Sequence, residues 1–176
     1  KIGITIPLAK IINQNKNCID DDLLLYDRVS DVPLPDYPGR MKCMLLVLCT
    51  DGTLEYTVNT NKLHAIGGDV MIIGGGQVIS NILLSNDCTG IALMISPHFF
   101  REVITGIHEL STLLLFSKQH PVLSLLPGEQ EDILNYFHLI KQKVIKKDHL
   151  FRKDTVRLLL TTMSCDISNV IYKLQY

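Results

Sequence analysis

Between Leu23 and Ser96 the chain is cut into short apolar runs by closely spaced turn residues, which leaves no uninterrupted window for a helix of ordinary length. The runs are Met41–Cys49, Leu54–Val58, Val70–Ile73, Val78–Leu84 and Ile91–Ile95. Between and around them stand Pro38-Gly39, Asp51-Gly52, Asn59–Asn61, Gly67-Gly68, Gly74–Gly76 and Asn86-Asp87. Short β-rich runs separated by such residues read as a sandwich or barrel. Leu54, Tyr56 and Val58 alternate with Thr53, Glu55 and Thr57, so that strand has one buried and one wet face. Around Val47 both faces are apolar, so something must also cover the outer side of that strand.

The texture changes at Ser96-Pro97. Serine is a good N-cap and proline is favoured at the first helical position, so a helix starts there and runs until Gly106 weakens it. Leu110–Phe116 reads as another short helix. Pro127-Gly128 opens a longer one, with Glu129, Glu131 and Asp132 at its positive end and Ile133, Phe137, Ile140 and Val144 along one face. The lysines of 141–147 read as its solvated end. In the last helix, from about Asp154, Val156, Leu160, Met163, Ile167, Val170 and Leu174 are spaced 4-3-4-3-4, the period of a coiled-coil seam. The same stripe would suit a helix docked on its own barrel, but the 3.5-residue period favours a dimer contact. The expected fold is mainly β plus α. A barrel over about 18–96 precedes a helical dimerisation region over 97–176, within one domain.

Composition narrows the function. The chain has 17 basic and 18 acidic residues, net charge −1, without the basic excess of a domain that grips phosphates. Its five cysteines (18, 43, 49, 88 and 165) form no CxxC and suit a reducing, cytoplasmic compartment. The apolar start, Ile2–Ile12, is broken by Lys10 and too short to span a bilayer, so no membrane partner is expected. The histidines at 64, 98, 108, 120, 138 and 149 show no metal-ligand spacing, and no nucleophile elbow, P-loop or dinucleotide fingerprint occurs. A non-enzymatic chain with no metal and no cofactor is expected.

The stretch from Met41 to Leu84, with its Gly68-Asp69 turn, followed by "GIALMISPHFF" over 90–100, resembles the cupin-like (jelly-roll) sensor barrels of AraC-type transcription regulators. The resemblance implies an effector-sensing and dimerising domain, a cytoplasmic homodimer that reaches DNA only through a helix-turn-helix half C-terminal to it. The chain stops at Tyr176, before any such unit. Metal-binding cupins carry two motifs, and their ligand positions fall here on Leu45, Ile79 and Leu83, with no histidine over residues 38–41; apolar side chains cannot hold a metal. By strand alternation Met41, Cys43, Leu45, Ile79, Asn81 and Leu83 point into the barrel. Tyr37, Cys43, Tyr56 and Asn81 are therefore the candidate ligand-binding residues. Sugar-sensing relatives place polar groups near Tyr37, Asn81 and Ala92, and at 92 this chain offers only a methyl. Two alternatives stay open: a barrel filled by its own side chains, and a stand-alone small-molecule or partner-binding protein of the same fold.

Overall fold

A computed structural model describes residues 4–6, 17–33, 37–108, 114 and 118–175. The apolar start therefore lies mostly outside the described residues, as does Leu110–Phe116 apart from Leu114.

Two sheets face each other. The first holds β1 (Ile4–Ile6), β4 (Gly39–Met41), β9 (Val78–Leu84), β6 (Thr53–Val58) and β7 (Asn61–Ile66), in that spatial order. The second runs β11 (Val122–Ser124), β8 (Asp69–Ile73), β5 (Met44–Asp51), β10 (Thr89–Ile95), β3 (Leu23–Tyr26) and β2 (Cys18–Ile19). Apart from the parallel β1–β4 pair, neighbours are antiparallel. Strands β3 to β10 supply four neighbours to each sheet, ordered 4-9-6-7 and 8-5-10-3. That is the interlocked double Greek key of a jelly roll, and the sheets are not closed at their edges. β1 and β11 come from outside 18–96 and hydrogen-bond onto these sheets.

The hydrophobic core has two layers, and β5 feeds both. Leu45 and Val47 point between the sheets with Leu54, Tyr56, Met71 and Ile79. Leu46 and Leu48 point the other way, onto the helices. Three helices are described: α1 (Pro97–Ile104), α2 (Pro127–Val144) and α3 (Arg152–Gln175). Ser96 caps α1, its hydroxyl accepting from Phe99 N at 3.1 Å and donating to Asp22 Oδ1 at 2.8 Å. The stripe of α2, Ile133, Phe137, Ile140 and Val144, is buried against this outer layer. The covered outer face expected around Val47 is thus the helical layer.

The Gly68-Asp69 turn is held by both local and long-range contacts. Gly68 sits at φ 95, and a Cβ there would lie 2.6 Å from the Gln130 amide nitrogen. Asp69 Oδ2 accepts from Ile66 N at 3.0 Å and Oδ1 from the Ser124 hydroxyl at 2.9 Å, so one carboxylate closes the β7–β8 turn and fastens β11.

The expected dimer seam is placed differently by the structure. Val156, Leu160, Met163, Ile167 and Val170 all lie inside the chain's own helical core, and Leu160 is 0% exposed. Of the six positions only Leu174 is exposed, at 56%. The stripe docks α3 on α2, α1 and the sheet, because fewer than three heptads cannot tell a partner helix from the chain's own core. A different face of α3 is left outward. Phe151, just ahead of α3, and Leu158, Cys165 and Tyr172 on it recur every seven residues and are all exposed.

Candidate ligand cavity between the sheets

A cavity of about 250 Å³ opens between the two sheets. Its walls are Leu45 and Val47 of β5, Leu54 and Tyr56 of β6, Met71 of β8, and Ile79, Asn81, Ile82 and Leu84 of β9. Val29, Ser30 and Val32, around a single 3-10 turn at Val29–Asp31, close one side. No charged side chain is among the lining residues; the polar ones are Ser30, Tyr56 and Asn81.

Tyr56 holds the most informative group. The side chain is almost fully buried, and its hydroxyl has no hydrogen-bond partner among the described residues. Burial, and then the nearby charge of Asp69, push its pKa far above the usual phenol range. The group is therefore a neutral hydroxyl, able to donate one hydrogen bond and accept another. Leaving it unpaired costs on the order of 1–3 kcal/mol.

The sequence-predicted ligand residues are only partly brought together. Tyr56 and Asn81 line the cavity. Cys43 lies in the same inter-sheet core but not on the cavity wall, and burial pushes its thiol up to about 11. Tyr37 is 49% exposed and stands apart from the lining residues. Met41, Leu45 and Ile79 point inward as alternation requires.

On β9 the alternation fails beyond Ser80. Glu55 pairs with Leu83 and Thr57 with Ser80, so Asn81 and Ile82 together oppose Tyr56, which is a β-bulge. Asn81 adopts φ 53, the left-handed conformation that asparagine tolerates. The extra residue reverses the facing of everything after it. Leu83 is 63% exposed rather than inward, Asn81 moves to the exposed rim, and Ile82 and Leu84 take the inward places. Of the cavity wall, reasoning from sequence missed Val47, Leu54 and Met71, which had the signal of an apolar alternating strand. It also missed Val29 and Val32, whose loop carried no such signal.

Among the described residues that line the cavity there is no His, Cys, Lys, Arg, Asp or Glu side chain. Elsewhere, Cys49 is pushed up to about 12, by burial first and then by Cys88 and the carboxylates of Asp69 and Asp51, so it too is a neutral thiol. Among the described residues no group of three or more His, Cys, Asp or Glu side chains is placed to hold a metal ion. None of the described helices is long and apolar enough to cross a membrane.

Solved structures similar to this chain include AraC-like regulators and cupin proteins. The AraC-like transcriptional activator CuxR superposes with a TM-score of 0.49 at 12% identity, over 74% of this chain and 42% of its own. ToxT from Vibrio cholerae does so with a TM-score of 0.45 at 10% identity, over 84% of this chain and 57% of its own. The cupin domain of Schizosaccharomyces pombe Cnp3 gives a TM-score of 0.35 at 12% identity, over 48% of this chain and 64% of its own. This chain thus spans well under two thirds of either regulator. No family model and no curated sequence matches it.

Proposed function

We propose that this chain is the effector-sensing and dimerising domain of an AraC-type transcription regulator, and that its effector sits in the cavity between the sheets. The observation that carries the sensing role is a cavity that the protein's own side chains leave open, with Tyr56 in its wall and the Tyr56 hydroxyl buried with no partner among the described residues. A barrel filled entirely by itself would have closed that space or paired that group. An apolar cavity of about 150 Å³ takes a benzene, so 250 Å³ suits a ligand of roughly ten non-hydrogen atoms. With no charged wall residue and few polar ones, the ligand is neutral and largely apolar, with one hydrogen-bonding group for Tyr56; a sugar would leave most of its hydroxyls unpaired.

The regulatory part of the reading rests on the jelly roll followed by a helical layer, the arrangement the sequence resemblance implies. DNA contact then belongs to a helix-turn-helix half outside these residues, in keeping with a net charge of −1. In the homodimer the partner covers the exposed heptad stripe of Phe151, Leu158, Cys165 and Tyr172 rather than the buried one.

The test uses 2-naphthol, a neutral ring pair with one hydroxyl, whose emission can be followed because the chain has no tryptophan. Saturable binding to the wild type, lost in a folded Val47→Phe variant that fills the cavity, is the expected result. Equal binding to both proteins, or none at millimolar probe, contradicts the reading.

A further inference from the structure

A second, larger hollow lies outside the barrel, where the Gly74–Gly76 turn and Lys42 face α1. Its volume is about 670 Å³. Met44, Ile72, Phe100 and Leu114 give it an apolar floor, and Lys42, Arg101 and Lys118 line it with three positive charges. Among the described residues no acidic side chain lines it, and none of the three cations makes an ion pair. The same four apolar residues continue into a slot of about 60 Å³ beneath α3, walled by Ile104, Ile167 and Ile171.

We infer that this groove binds an organic monoanion with an apolar body, its charged head on Lys42, Arg101 and Lys118 and its body on Met44, Ile72 and Phe100 toward the slot under α3. Three like charges lining one groove with no counter-ion among the described residues disfavour one another, and an anion among them relieves that repulsion. The overall charge of −1 offers no general attraction for anions, so the positive field is local to this groove. The floor then selects among anions. A multiply charged phosphate or nucleic acid gains nothing from apolar side chains, whereas an aliphatic or aromatic carboxylate buries its body there. The barrel cavity makes the opposite choice, having no cation in its wall. Because Ile167 and Ile171 belong to α3, an anion seated here touches the helix that bears the exposed heptad stripe. The site stands independently of the barrel reading.

Calorimetric titration with octanoate, hexanoate and octan-1-ol tests it. Wild type should bind octanoate, with hexanoate roughly sixteenfold weaker for the loss of two buried methylene groups. Octan-1-ol, lacking the charge, should bind at least about tenfold more weakly than octanoate. The double variant Lys42→Gln/Arg101→Gln, changed only at exposed side chains, should lose octanoate at least about tenfold and keep 2-naphthol, while Val47→Phe should keep octanoate. Equal affinity for octanoate and octan-1-ol overturns the inference. So does octanoate binding that Val47→Phe abolishes and the double variant does not, or no octanoate binding at millimolar concentration.

Discussion

Changing Leu160 to alanine removes a side chain that is 0% exposed and packed between α3, the sheet and the other helices. A buried leucine truncated in this way costs about 2–5 kcal/mol, the lost transfer energy plus the cavity left behind. Leu158, two residues earlier, is 57% exposed, and its truncation belongs with surface changes of about 0.5 kcal/mol or less in the isolated chain. With a urea slope of roughly 2–3 kcal/mol/M, Leu160→Ala should lower the unfolding midpoint by about 1–2 M, with Leu158→Ala close to wild type once the protein is dilute enough for the chain to be monomeric. Urea titrations followed by circular dichroism, repeated at two protein concentrations, separate intramolecular from intermolecular roles. The Leu160 penalty should be the same at both concentrations. Sedimentation should show a Leu158→Glu variant that is folded and monomeric where wild type is a dimer. If Leu160→Ala leaves the midpoint unmoved, or its effect grows on dilution, the stripe is a partner contact and the placement of α3 described above is wrong.

Tyr56→Phe deletes a buried hydroxyl that has no partner among the described residues and should leave the ligand-free domain as stable as wild type or more so, by about 1 kcal/mol; a clear drop in the thermal midpoint would show that the hydroxyl is already satisfied. Asn81→Val forces a β-branched residue into a left-handed backbone and should cost about 1–2 kcal/mol, whereas Asn81→Gly should be nearly neutral. Equal costs would argue against the bulge. Burial pushes the Asp22 carboxyl up, but hydrogen bonds from Lys153 at 2.8 Å and from Ser96 outweigh it and hold its pKa below the usual value. A depressed folded pKa means stability that is present above the unfolded pKa of about 4 and lost as pH falls through the folded value. The stability gap between wild type and Asp22→Asn should therefore narrow from pH 7 to pH 3, and a gap that stays constant refutes the pairing.

The fold was largely legible because its punctuation is strong. Ser96-Pro97 and Pro127-Gly128 each have a local physical cause that works without tertiary context, and the Gly68-Asp69 turn is closed locally by Ile66 before Gln130 and Ser124 meet it. β7 escaped notice because it is an edge strand with little to bury: Lys62, His64 and Ile66 are exposed, and only Leu63 and Ala65 turn inward. The site was harder to see. Tyr56 was readable from alternation, but the bulge at Asn81 inserts one residue opposite Tyr56, and no periodicity in β9 announces it. The seam of α3 misled for a related reason. Partner and own core impose the same apolar stripe, and the outward heptad of Phe151, Leu158, Cys165 and Tyr172 is chemically too mixed to stand out.

The five methionines place methyl probes throughout the molecule. Met71 is in the cavity wall, Met41 and Met94 are in the surrounding inter-sheet core, Met44 packs against the helical layer, and Met163 is inside it. A methyl NMR titration of methionine-labelled protein with 2-naphthol therefore tests the central claim, that a neutral ligand enters between the sheets. The account predicts the largest shift at Met71, smaller ones at Met41 and Met94, and none at Met163. Saturation with Met71 unmoved, or with Met44 and Met163 moving in its place, contradicts it.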